Sequence, residues 1–226
     1  IELEKFDGVY VSGAAISAAM GLPDIGLTSQ SEVVTTASQI CRVTPLPTIV
    51  DADTGFGEPI NVARTLFLLE EAGLAGCHLE DQRNPKRCGH LENKELVSRK
   101  EMIQRISAAI NSISDENFLL IARTDARAVE GLDKAIDRAK SYVDAGARMI
   151  FPEALKNEYE FEKFRENLDV PLLANMTEFG KSPIFNLTKL ENLGYNIVIY
   201  PVTTFRLGMK AIENGLKSLK ENGLEL

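Results

Sequence analysis

The stretch NPKRCGHLENKEL, residues 84–96, gathers a thiol, an imidazole and three cations around one glycine. The 226-residue chain has only three cysteines and two histidines, and Cys88 and His90 both lie here. A hydrophobic core has no use for that mixture. Positive charge beside a thiol favours the thiolate and lowers its pKa. Lys86, Arg87 and His90 therefore mark Cys88 as a candidate nucleophile, or as a general acid working near neutral pH. Gly89 allows the backbone to approach a ligand closely. The competing reading is an inert loop cysteine. Cys41, in a helical apolar pattern, and Cys77, in a strand, read as small buried hydrophobes.

The second chemical group is acidic. In TIVDAD (48–53) Asp51 and Asp53 fall on one strand face, and GCHLED (76–81) ends in Glu80 and Asp81. Four carboxylates at one place repel each other, and a divalent cation relieves this. An all-oxygen ligand set favours Mg²⁺ or Mn²⁺, with some carboxylates acting through water. The alternative is that two of the acids pair with Arg123 and Lys86. His78 shares a face with Glu80 and reads either as a ligand or as a hydrogen-bonded core histidine.

These groups sit at the ends of regularly spaced elements. Apolar runs at 8–13, 48–53, 76–81, 118–125, 148–154, 170–177 and 196–202 read as strands. Amphipathic stretches at 31–44, 61–73, 98–113, 132–146, 158–168, 186–194 and 204–222 read as helices. Ser98 with Glu101 forms a capping box. Seven βα units in strict alternation imply an α/β fold with a parallel sheet. No linker interrupts them, so residues 1–226 read as one domain. No GxGxxG or GxxxxGK[ST] loop follows a strand, which favours a (β/α)8 TIM-type barrel over a doubly wound nucleotide-binding sheet. A barrel needs eight strands, so the first βα unit is expected upstream of Ile1. Strand after strand is apolar at its start and polar at its carboxyl end: Tyr10 and Ser12, Asp51 and Asp53, Arg123 and Asp125, Glu153, then Asn175 and Thr177. In a closed barrel these groups converge at the C-terminal mouth, where barrel enzymes place their sites.

Composition narrows the class further. The net charge of −8 argues against nucleic acid as a partner. No run of 18 apolar residues is present and the N-terminus lacks signal-peptide character, so no membrane association is expected. Three cysteines cannot all pair within the chain and read as reduced thiols in the cytoplasm.

At PKRCGHL the pattern resembles the lyase branch of the isocitrate lyase / phosphoenolpyruvate mutase superfamily. YVSGAAISAAMGLPDIG, VDADTGFG, HLEDQ, ARTDA, FPEA, LLANMTEFG and YPVTTFR follow in the superfamily's order. The resemblance implies a Mg²⁺-dependent cleavage of a carbon–carbon bond in a 2-hydroxytricarboxylate. Methylisocitrate, split into pyruvate and succinate in propionate catabolism, is favoured over isocitrate. By the same resemblance Asp51 and Asp53 hold the metal, with Glu80 in support. Ser12, Gly13, Ala14, Gly89, Arg123, Glu153, Asn175, Thr177 and Arg206 contact substrate. Cys88 is the catalytic acid, and Tyr10 is a candidate base. Ala14 departs from the superfamily's usual glycine. The resemblance also implies a homo-oligomer, a tetramer, with C-terminal helices that this chain lacks. The rivals are isocitrate lyase, oxaloacetate decarboxylase, dimethylmalate lyase, a phosphonopyruvate-type mutase or hydrolase, and a barrel that binds without catalysis.

Overall fold

The computed structural model describes residues 1–223, so the last three positions of the single unit expected over 1–226 lie outside the described residues. Its elements are β1 (Val9–Val11), α1 (Gly13–Ala19), α2 (Gln30–Cys41), β2 (Thr48–Asp51), α3 (Pro59–Glu71), β3 (Gly76–Glu80), α4 (Arg99–Ile110), β4 (Leu119–Thr124), α5 (Ala126–Val129), α6 (Leu132–Asp144), β5 (Met149–Pro152), α7 (Glu158–Asn167), β6 (Leu173–Asn175), α8 (Leu187–Asn192), β7 (Ile197–Ile199) and α9 (Thr203–Asn222). All seven expected strands and the seven expected helices form.

The strands pair in sequence order and in parallel, β1 through β5 in one sheet and β6 with β7 in another. A parallel bridge from Ile150 to Leu172 carries the order across the gap. A doubly wound sheet reverses its order at a switch point; this wall never reverses, and it has the TIM-type α/β architecture. Among the described residues no ladder joins β7 to β1.

Two apolar layers follow from the strand alternation. Side chains facing the helices, among them Val50, Cys77, Leu79, Leu120 and Ile150, join Val62, Leu66, Met102, Ile106 and Phe164 in the larger core. Side chains facing the barrel axis form a smaller one of Ile121, Met149, Phe151, Leu173 and Ile199. Each fully buried leucine or isoleucine contributes about 1.5–3 kcal/mol. The inner plug fills the lower barrel, so the polar strand ends above it share one floor.

The helix starts are written in the sequence. Ser29 with Glu32 and Ser98 with Glu101 form capping boxes at α2 and α4, and Pro59 occupies the first turn of α3. Two short helices escape the periodicity reading. The strand expected to reach residue 13 stops at Val11, because Ser12 turns the chain and its hydroxyl accepts the Ala15 N–H at 3.4 Å to cap α1. The four-residue α5 follows Asp125 directly. None of the described residues of α9 is buried; Leu207, Met209, Ile212, Leu216 and Leu219 are exposed along it.

Candidate active site

Register brings the polar strand ends together. Asp51 lies beside His78 and Glu80 beside Arg123, which in turn lies beside Phe151. A cavity at this end is lined by Tyr10, Ser12, Ala14, Asp51, Cys88, Gly89, Arg123, Glu153, Asn175, Thr177 and Arg206, all expected from sequence. It is also lined by Asp24, His90, Phe179 and Gly180, which the site reading did not include. Gly13 sits just beneath: a Cβ there would meet Asp51 Oδ2 at 2.9 Å, so glycine lets α1 start against the carboxylate. Ala14 occupies an ordinary helical position in α1, where a methyl group costs nothing.

Arg123 is the hub. Its Nε and Nη2 donate to Asp125 at 2.9 and 3.2 Å, and Nη1 lies 3.3 Å from Glu80 Oε2. Its guanidinium stacks over Phe151 at 5.3 Å. Glu153 Oε2 lies 3.7 Å away and accepts from Asn175 Nδ2 at 3.3 Å. Tyr10 meets His78 Nε2 at 2.8 Å, and that nitrogen is 3.6 Å from Asp51 Oδ1. Burial lowers the His78 pKa to about 4, so the ring is neutral at pH 7. Burial, with Asp51 adding to it, raises the Tyr10 hydroxyl well above its ordinary value. That opposes the fall in pKa a base at Tyr10 would need. Arg206, at the rim, is exposed and donates to the Glu178 carbonyl at 2.8 Å and its carboxylate at 2.9 Å.

The loop carrying Cys88 is folded down over the mouth. Gln82 brackets Arg87 through both its amide atoms, at 2.8 and 3.0 Å, and a bridge to Leu96 closes the neck. A Cβ on Gly89 would stand 2.5 Å from Arg123 Nη2 and 2.6 Å from Glu153 Cγ, so only glycine permits this approach. His90 Nδ1 accepts the Lys181 N–H at 3.0 Å, and Nε2 lies 3.1 Å from Glu153 Oε1. The imidazole thus ties this loop to the one after β6.

Two sequence expectations need correcting. The cations flanking Cys88 do not lower its pKa. Lys86 is buried and engaged with Asp24 at 2.5 Å and Asp53 at 2.7 Å, and Arg87 is exposed. His90 is neutral, its pKa lowered by burial. Desolvation therefore dominates and raises the Cys88 thiol, outweighing a backbone hydrogen bond at His90. Asp81, grouped with the acids at the mouth, points the other way, as alternation from Glu80 requires. It accepts from Thr124 Oγ1 at 2.7 Å, Tyr142 OH at 2.8 Å and Asp125 N–H at 2.9 Å.

The carboxylates that remain suit a cation. Asp51, Asp53, Glu80, Asp125 and Glu153 are buried, against buried cations Lys86, Lys94 and Arg123. Neither Glu80 oxygen has a hydrogen-bond donor, although Oε2 faces Arg123 Nη1 at 3.3 Å, and Asp53 Oδ1 meets Lys86 Nζ at 2.7 Å. Burial pushes Glu80 well up, and burial with Asp51 pushes Asp53 up to about 6. Burial also works against Asp51, yet the positive charge around it brings it down to about 2: His78 when protonated, then Lys86 and Arg123. Among the described residues no three acidic, cysteine or histidine side chains converge as a ready chelate. Mg²⁺ takes one or two carboxylates and completes its shell with water and substrate, so it does not require such a cluster.

Fold and site together define an acid-lined parallel barrel with a thiol loop closed over its mouth. The chain belongs to the phosphoenolpyruvate phosphomutase family, whose model matches residues 1–220. It is 58% identical to a probable 2-methylisocitrate lyase 2 of Corynebacterium glutamicum, covering 100% of this chain and 73% of the relative. It is 51% identical to a 2-methylisocitrate lyase of Aeropyrum pernix, covering 97% and 71%. Among solved structures, 2,3-dimethylmalate lyase matches with a TM-score of 0.95 at 33% identity, over 99% of this chain and 76% of that one. Phosphonopyruvate hydrolase, solved with oxalate and Mg²⁺, matches with a TM-score of 0.88 at 30% identity, over 98% and 77%.

Proposed function

We propose that this chain is a carbon–carbon lyase that cleaves 2-methylisocitrate to pyruvate and succinate. The observation that carries the reading is the Cys88 thiol facing a carboxylate-rich barrel mouth across one cavity, with burial raising its pKa. The names of the relatives supply the substrate. In this reaction the C2 hydroxyl gives its proton to a water molecule, the C2–C3 bond breaks, and C2 becomes the carbonyl of pyruvate; a proton from solvent restores the Cys88 thiol at the end of the cycle. The electron pair left on C3 spreads into the adjoining carboxylate until C3 is protonated. Cys88 gives that proton, a service typically worth about 10²–10⁴ in rate. Its raised pKa keeps the proton available at neutral pH.

Ser12, Gly13, Ala14, Gly89, Arg123, Glu153, Asn175, Thr177 and Arg206 are the proposed substrate contacts, with the arginines holding carboxylates bidentately. Tyr10 faces the 2-hydroxyl. Burial keeps its own proton in place, so its part in the free site is hydrogen bonding. Asp51 and Asp53, with Glu80 behind them, would hold Mg²⁺, or Mn²⁺ in its stead. When bound, the cation supplies electrostatic stabilisation of negative charge developing on substrate oxygens. The Mg²⁺ of the related phosphonopyruvate hydrolase structure supports this choice. Residues 1–226 act as one catalytic unit within a homotetramer, in the cytoplasm, where three free thiols stay reduced. Among the described residues no helix is long and apolar enough to cross a membrane.

The test is to identify the 2-oxo acid released by the purified protein, supplied with Mg²⁺ and each tricarboxylate in turn. Pyruvate from methylisocitrate is expected. A higher kcat/KM for isocitrate, with glyoxylate as product, overturns the substrate assignment, and cleavage of neither overturns the lyase reading.

A further inference from the structure

Lys94 lies six residues beyond Cys88, past an exposed turn in which Asn93 takes φ 58°. Asparagine accepts that left-handed geometry, and it turns Lys94 back beneath the loop. The lysine side chain is 1% exposed. Its ammonium donates to the Gly89 carbonyl at 2.5 Å and to Asp125 Oδ1 at 2.6 Å. Asp125 receives Arg123 on both its oxygens, and its backbone N–H is anchored on Asp81. Burying an ammonium is costly unless it is paired and hydrogen-bonded. Here the pairing joins the peptide next to Cys88 and the carboxylate that aims Arg123.

We propose that Lys94 is a positioning residue for Cys88, a latch through which loop closure and the orientation of Arg123 become one event. Without the ammonium, the Gly89 carbonyl and Asp125 Oδ1 are left facing each other, two acceptors with no proton between them. The loop then has reason to lift, and Asp125 has lost one of the two cations it serves. The thiol moves away from the cavity while the rest of the barrel is untouched. The catalytic consequence rests on the lyase reading above; the conformational one does not.

Two readouts on intact protein separate these. The first is alkylation by iodoacetamide, followed by peptide mass spectrometry, with Cys77 as the buried internal standard. In Lys94→Met, Cys88 should react at least about ten times faster than in the unmodified chain while Cys77 stays protected, and the melting temperature should fall because Asp125 loses a buried counter-charge. The second is steady-state kinetics on methylisocitrate. A misplacement near 1 Å costs about 100-fold, so kcat should fall by that order with KM changed far less. Lys94→Arg, which keeps the charge, should recover part of both. Lys94→Gln, uncharged but able to reach the Gly89 carbonyl, serves if the methionine variant does not fold. Unchanged Cys88 reactivity in a folded variant overturns the proposal. So does a rise in Cys77 reactivity alongside that of Cys88, or failure of both neutral variants to fold, since either makes Lys94 a general stability residue. If the unmodified chain cleaves no tricarboxylate, the lyase reading fails, and the alkylation result still decides the latch.

Discussion

Cys88 follows a buried lysine already engaged with two carboxylates and an exposed arginine, so neither of these sequence neighbours lowers its pKa. Sequence proximity suggested an activated thiolate; the side-chain directions leave desolvation in control, and the thiol holds its proton. That distinction is measurable. A free cysteine titrates near 8.5, and a raised Cys88 pKa means that the acid form persists through neutral pH and is lost only as pH rises past the elevated value. Alkylation of Cys88 followed against pH should therefore show a midpoint above that of a free thiol, and the alkaline limb of kcat should lie there too. A midpoint below 8 would restore the thiolate. Cys88→Ser replaces the thiol with a far weaker acid of similar size. It should lower kcat by about 10²–10⁴ with substrate affinity, read by calorimetry, nearly unchanged; turnover close to that of the unmodified chain would remove Cys88 from the reaction.

At the scale of elements, periodicity delivers what it physically encodes. Strand faces two residues apart must agree, so Asp51, Glu80, Arg123, Glu153 and Asn175 could be read onto one face before any coordinates, and Asp81 should have been read off it. Helices α2 and α4 announce their starts by side-chain caps. What stayed illegible is what long-range contact decides. α1 is a seven-residue helix held by one cap, too short for a period. Asp24 enters the site because Lys86 reaches it across 62 positions of sequence. The posture of the 83–95 loop is likewise a tertiary fact: Gly89 lets it seat on Arg123 and Glu153. Seating and mobility are compatible if the loop closes over substrate. Arg87 is exposed on the loop, so trypsin should cut there, and more slowly once pyruvate, succinate and Mg²⁺ are present. Equal cutting with and without them would argue against gating. Gly89→Ala is the sharper probe. Its methyl group would overlap Arg123 Nη2 and Glu153 Cγ, which blocks seating, and a loss of about 100-fold in kcat/KM is expected. The melting temperature should change little, because the outer core is not involved.

The whole molecule is a parallel wall whose inner surface is apolar below and charged above, and its charge does not balance. Five buried carboxylates at the mouth face three buried cations, and the two oxygens of Glu80 have no hydrogen-bond donor. Uncompensated buried anions destabilise a fold, and barrel closure forces these onto one floor from β2, β3, β4 and β5. The chain can neutralise the surplus by protonating Glu80 and Asp53, as their raised pKa values indicate, or by binding a divalent cation that the unfolded chain, with its acids dispersed, holds poorly. Such a ligand stabilises by mass action, about 2.7 kcal/mol at one hundred times its dissociation constant. For a protein of this size that corresponds to a rise of about 5–10 °C in melting temperature. Titrating Mg²⁺ into chelator-treated protein should produce that rise, saturably, and Ca²⁺ should produce less of it if the site demands octahedral geometry. Chelation should abolish lyase activity while the far-ultraviolet circular dichroism stays native. In Asp51→Asn the rise should vanish, whereas Asp81→Asn, on the outer face, should destabilise the protein and leave the rise intact. A melting temperature indifferent to Mg²⁺ in the unmodified chain, or activity that survives exhaustive chelation, would make these carboxylates partners of Lys86 and Arg123 alone.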